Sequence, residues 1–178
     1  MPEQTVFIVD DDDALIDSLT MRYQDDYKVL SALNVADAKA ILATDGATID
    51  VAILDLTMPM SSYSWELNST AGMEVFRAAR GGSGLPGLAP STQFVALTAN
   101  NKVDHKEFTL LGIGIVIKGT PGFLDSLDEW IKRACETRAD NVGPSASHPS
   151  DQNALPVSDF AIREALVKIR DIVNSVLQ

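Results

Sequence analysis

Cysteine is almost absent from this 178-residue sequence, where Cys135 stands alone. A single thiol excludes a disulfide framework and a cysteine metal site. Its setting, Trp130-Ile131-Lys132-Arg133-Ala134-Cys135, has a helical pattern and marks it as a buried spectator. Histidine is nearly as scarce: His105 and His148 lie far apart in polar surroundings, which speaks against a histidine metal site or a phosphohistidine. No run of about 18 apolar residues occurs, so a membrane-crossing helix is not expected. The first nine residues lack the basic start and cleavage site of a signal peptide, and the expected location is cytoplasmic. Positive charge is outnumbered, 14 Lys and Arg against 25 Asp and Glu, for a formal net charge of −11. Nucleic acid and anionic membrane both reward a basic surface, so neither is an expected direct partner.

What is present is a packed core and a concentration of carboxylates. A hydrophobic fraction of 46% is ample for one domain, and the length allows one domain with an appendage. Four aspartates, Asp10 to Asp13, follow the apolar run Val6-Phe7-Ile8-Val9; a second run, Val51 to Leu54, delivers Asp55. Two such strands lying side by side gather carboxylates at one sheet edge. That is a site for a hard divalent cation and for phosphoryl chemistry, because magnesium takes oxygen ligands from one or two carboxylates, phosphate and water.

Short apolar runs alternate with amphipathic stretches, the pattern of a parallel sheet covered by helices on both faces. The runs predict strands at 5–9, 27–32, 51–54, 93–97 and 114–117, with helices at 14–24, 35–44, 72–80, 102–111 and 122–138. Asp13 is the expected cap of the first helix, and Leu15, Ile16, Leu19, Arg22 and Tyr23 form its face. Asp12 is left to tune the charge of the pocket. Two connections, 59–71 and 81–90, exceed the usual loop of about 2 to 6 residues. The first carries Tyr63 and Trp65 and reads either as a lid or partner surface beside the acidic cluster or as a passive insertion. The domain plan is therefore 1–138, a polar, proline-bearing linker at 139–157, and an amphipathic helix at 158–178. In that last helix Ile162, Leu166, Ile169, Val173 and Val176 alternate four and three apart. It reads as a dimerisation or partner helix, a helix docked on its own domain, or the start of an output domain.

Open parallel sheets bind ligands at the carboxyl ends of their strands, where the strand order reverses. Asp10 and Asp11 end the first strand, Asp55 the third, Thr98 the fourth and Lys118 the fifth. A hydroxyl and an ammonium thus join three carboxylates, and both suit a phosphoryl oxygen.

In this order of motifs, with Asp55-Leu56-Thr57-Met58-Pro59 after strand three and Thr98-Ala99 after strand four, the segment 1–138 resembles the receiver domain of bacterial two-component response regulators, the CheY-like family. The resemblance implies a flavodoxin-like α/β fold, a doubly wound five-stranded parallel sheet of order 2-1-3-4-5. It implies a signalling receiver, with no chemistry beyond its own phosphorylation and dephosphorylation. Asp55 is then the phosphoacceptor, taking its phosphoryl group from a phosphohistidine on a sensor histidine kinase or phosphotransfer protein. Asp10, Asp11 and Asp55, with the backbone carbonyl of Thr57, are the Mg2+ ligands. Lys118 holds one phosphoryl oxygen, and Thr98 turns inward to bond another. That movement switches partner binding or homodimer formation. The sequence departs from the family at Gly119, where a proline usually follows the lysine, which implies a looser hold on Lys118. It departs again at Ile115, where an aromatic residue usually couples to the threonine. The competing reading is a receiver-like interaction module that works without phosphate through the 60–71 insertion or the last helix. A haloacid-dehalogenase hydrolase places its nucleophile after strand one, the reverse of this order. A dinucleotide site needs glycines where this chain has aspartates.

Overall fold

The computed structural model describes residues 4–81, 88, 92–99, 108 and 110–141, with side chains described as far as 136. The elements alternate as the hydrophobic pattern requires. β1 (Thr5–Val9), α1 (Asp13–Tyr23), β2 (Lys28–Ala32) and α2 (Val35–Asp45) are followed, after a short 3-10 turn, by β3 (Ile49–Asp55). A small hairpin, β4 (Met58–Pro59) and β5 (Leu67–Asn68), precedes α3 (Ala71–Ala79), β6 (Gln93–Thr98), β7 (Ile113–Ile117) and α4 (Phe123–Asn141). The five long strands form one parallel sheet in the order β2-β1-β3-β6-β7, which is the expected 2-1-3-4-5 order with the hairpin strands set aside.

Both sheet faces are apolar, and the period of two along each strand assigns its residues to one or the other. Val6 and Ile8 of β1, with Val51, Ile53, Val95 and Leu97, pack under Ile16 and Leu19 of α1 and Leu127 and Ile131 of α4. Phe7 and Val9, with Ala52, Leu54, Phe94 and Ala96, pack under Val35 and Leu42 of α2 and Val75 and Phe76 of α3. Among the described residues, α1 and α4 cover one face and α2 and α3 the other, and loops follow the strands at the sheet's carboxyl edge.

Several elements begin or end elsewhere than the sequence predicts. Asp12, not Asp13, caps α1: its Oδ1 accepts the Leu15 amide at 3.1 Å, and Asp13 is already helical. The choice between two adjacent aspartates is made by Asp10, whose Oδ1 accepts the Asp12 amide at 3.0 Å and sets the turn. β3 starts two residues before the apolar run because Asp50 sits at a register shift between Thr5 and Val6 and accepts the Thr5 amide at 2.7 Å. Part of the long connection after Asp55 is an antiparallel ladder pairing Met58 with Asn68 and Pro59 with Leu67. Helix α4 runs on to Asn141, past the expected end at 138. The predicted helix at 102–111, His105 and most of the 81–90 connection lie outside the described residues, as do the linker from 142, His148 and the final helix. Cys135 is buried, as expected. Among the described residues no helix is long and apolar enough to cross a membrane.

A contact the sequence hides ties α1 to α4. Arg22 donates to Asp128 through Nε at 2.9 Å and again through Nη2, and the Tyr23 hydroxyl donates to the same carboxylate at 2.8 Å. The Arg22 hydrogen bond holds the Asp128 carboxyl below its ordinary value of 3.8; partial burial opposes this and the Tyr23 hydroxyl reinforces it. A depressed folded-state value means the contact stabilises above that ordinary pH and loses its effect as pH falls through the folded value. Asp128→Asn is therefore expected to lower stability modestly at neutral pH, because solvent screens the pair, and to flatten the acid limb below about pH 4. Urea midpoints taken across that limb check this; a slope identical to wild type would contradict it.

Candidate functional site

The hydrogen-bond ladders of β1, β3 and β7 continue one residue past the strand, and this places the functional side chains. The Asp10 amide donates to Ala32 O at 3.1 Å, the Leu56 amide to Leu97 O at 3.1 Å, and the Lys118 amide to Thr98 O at 2.8 Å. Asp10, Asp55, Thr98 and Lys118 therefore meet at one edge because the register β1-β3-β6-β7 puts them there.

Lys118 is the centre of the cluster. Its Nζ donates to Asp55 Oδ2 at 2.6 Å and lies 2.6 Å from Asp10 Oδ2, with its side chain 19% exposed. The Asp10 contact is an ion pair with a fully buried oxygen: among the described residues Asp10 Oδ2 has no partner besides the Lys118 ammonium. The other oxygens are oriented by backbone, Asp10 Oδ1 by the Asp12 amide and Asp55 Oδ1 by the Thr57 amide at 3.1 Å. Burial pushes the Asp10 carboxyl above its ordinary range; the contact and charge of Lys118 and the Asp12 amide pull it back, and the Asp55 charge adds to the rise. Burial alone would lower the Lys118 ammonium, but the hydrogen bonds and charges of Asp10 and Asp55 outweigh it and leave it above the usual lysine value.

One oxygen each from Asp10, Asp11 and Asp55 lies within 4.8 Å of the others, with Asp11 exposed at the mouth. Such an all-carboxylate set suits a hard divalent cation, and the buried carboxylate of Asp10, countered here by Lys118, gives it an anionic ligand. The structure thus brings together Asp10, Asp11, Asp55 and Lys118, with Thr98 buried at the end of β6 and Thr57 two residues past Asp55.

The two departures from the family pattern have visible consequences. Gly119 adopts φ +73°, a left-handed value that the proline ring excludes, so the loop takes a different course here. Lys118 is nonetheless anchored by its amide and both carboxylates. Ile115 is half-buried against the α2–α3 core, while on the other face of β7 the ring of Trp130 lies over Gly114, where an added Cβ would come within 2.6 Å.

Sequence reasoning missed two features around this edge. Ala36 in the first turn of α2 donates to Met60 O at 3.0 Å, fastening the base of the hairpin. Gly72 lies against the backbone of Asp55. Neither has a signal in the sequence, because both arise only when the loops are folded over the edge.

The sequence matches no family model and no curated protein. Solved structures do match. The response regulator receiver domain protein from Clostridium thermocellum has a TM-score of 0.60 at 18% identity, covering 78% of this chain and 99% of its own. Chemotaxis protein CheY4 of Vibrio cholerae matches at 0.53 and 25% identity over 72% and 98%. Response regulator protein TrrA of Thermotoga maritima, solved in complex with Mg2+ and beryllium fluoride, matches at 0.52 and 21% over 74% and 98%. The chain has the flavodoxin-like fold of CheY-like receiver domains.

Proposed function

We propose that this chain is a phosphorylatable receiver in which Asp55 accepts a phosphoryl group from a phosphohistidine on a sensor histidine kinase or phosphotransfer protein in the cytoplasm. One observation carries the reading: an aspartate at the carboxyl edge of a receiver fold, ion-paired to Lys118 and within 4.8 Å of two further carboxylates. An Asp55 oxygen attacks phosphorus as the bond from phosphorus to the donor imidazole nitrogen breaks, and the electron pair stays on that nitrogen. The product is an acyl phosphate.

Two anions must meet for this to happen. Asp10, Asp11, Asp55 and the Thr57 carbonyl would hold Mg2+, which when bound neutralises charge on carboxylate and phosphoryl oxygens alike. Lys118 already contacts Asp55 and is placed to follow the charge onto a phosphoryl oxygen. Thr98 would bond another by turning inward, and that motion at the end of β6 would change which partner or homodimer the β7 face favours. The chemistry ends at self-phosphorylation and self-dephosphorylation, so the chain works as a switch rather than a turnover enzyme.

Borohydride reduction tests the assignment, because it converts an aspartyl phosphate to homoserine. Peptide mapping of phosphorylated protein is expected to find homoserine at position 55; homoserine at another aspartate would overturn the assignment.

A second reading rests on the hairpin, where Tyr63 and Trp65 are each 94% exposed. Aromatic side chains so exposed contribute nothing to this fold and suit a partner-binding tip that works without phosphate. Tyr63→Ala with Trp65→Ala is expected to leave the unfolding free energy from urea titration unchanged within about 0.5 kcal/mol. A larger loss would show that the tip packs on its own domain.

A further inference from the structure

Helix α3 begins closer to the backbone of Asp55 than any residue but glycine allows. A Cβ on Gly72 would lie 2.3 Å from the carbonyl oxygen of Asp55, 2.9 Å from Cα of Leu56 and 3.1 Å from the carbonyl carbon of Asp55. All three are backbone atoms, so no rotamer change relieves the clash. Gly72 is not among the glycines with positive φ, so close approach alone excludes a side chain there. Its amide also points at Leu56 O, 3.4 Å away.

This contact closes a long detour. Between Leu56 and Gly72 the chain runs out through the hairpin, pairs Met58 with Asn68, and returns to the residue it left. A carboxylate that must sit between Lys118 and two other carboxylates has little tolerance. A methyl group at 2.3 Å from an oxygen is roughly 1 Å inside contact distance, and either α3 or the end of β3 must yield by that amount.

We propose that Gly72 is a positioning residue for Asp55: it seats α3 on the Asp55 carbonyl and so fixes the depth of the carboxylate, whatever the hairpin does. The proposal rests on the phosphoacceptor reading and deepens it. Misplacement of a reacting group by about 1 Å costs on the order of 100-fold in rate.

The test compares Gly72→Ala with Leu42→Ala, a cavity variant in the α2 core away from the site. Three quantities are measured on folded protein: the rate of phosphoryl adduct formation with acetyl phosphate by intact mass, the Mn2+ dissociation constant by titration, and the melting temperature. Gly72→Ala is expected to slow the adduct about 10- to 100-fold and to weaken Mn2+ several-fold, while Leu42→Ala loses melting temperature but keeps both rate and affinity. Wild-type rate and affinity in Gly72→Ala would overturn the proposal, as would equal losses in Leu42→Ala. If the wild type itself forms no adduct, the phosphoacceptor reading fails separately, and the Mn2+ comparison still decides whether Gly72 positions Asp55. Should Gly72→Ala not fold, a variant with residues 61–66 replaced by two glycines decides: an adduct rate within about threefold of wild type supports seating by Gly72, and a tenfold loss overturns it.

Discussion

Lys118→Ala is expected to destabilise the metal-free protein by about 3 to 5 kcal/mol, the usual result of removing one partner from a buried ion cluster. For a chain of this length that is a fall in melting temperature on the order of 10 °C. The ammonium stands 2.6 Å from both Asp10 Oδ2 and Asp55 Oδ2, and without it two buried carboxylates lose the cation that balances them. The loss should depend on conditions in a defined direction. Burial already holds the Asp10 carboxyl above its ordinary value of 3.8. Removing Lys118 removes the main influence that opposes this rise. The folded state then binds the proton more readily than the unfolded state, so stability is regained as pH falls. The deficit is expected to be largest near pH 8, to shrink toward about pH 5, and to shrink again on adding Mg2+. Thermal melts across this range check it. An equal deficit at every pH and metal concentration would mean that Lys118 acts through its aliphatic stem.

Asp10→Asn separates function from stability. The variant keeps the shape but surrenders an anionic metal ligand, and adduct formation is expected to slow about 100-fold or more, comparable to losing one preorganised electrostatic group at a reacting centre. Stability of the metal-free protein should change by only about 1 kcal/mol, because one hydrogen bond or ion contact is exchanged for relief of a buried charge. The wild type gains stability as pH falls from the raised Asp10 value toward 3.8, since the native state takes up the proton first. That gain should be missing from Asp10→Asn, and so should the stabilisation by Mg2+. A variant that still melts higher with Mg2+ would remove Asp10 from the metal site.

Much of this edge is legible in the sequence because strand ends are. Apolar runs stop where the sheet stops, so Asp10, Asp55, Thr98 and Lys118 announce themselves as the next polar residues, and an alternating strand and helix pattern brings them to one side. Boundaries are less legible where one polar residue is used structurally. Asp50 interrupts the apolar pattern of β3, yet its carboxylate belongs to the Thr5 amide and the strand continues through it. The hairpin escapes because two residues per strand, one of them Pro59, carry no periodicity. Contacts made across the chain leave no local trace at all. Arg22 and Asp128 are 106 residues apart, and Gly72 is one glycine among 11 until its distance from Asp55 is known.

Intact mass after incubation with acetyl phosphate and Mg2+, for wild type and Asp55→Asn with and without a chelator, tests the central claim most directly. One phosphoryl adduct is predicted on the wild type, absent from Asp55→Asn and absent when the metal is chelated. A folded wild type that gains no adduct, or an adduct that survives Asp55→Asn, would contradict it.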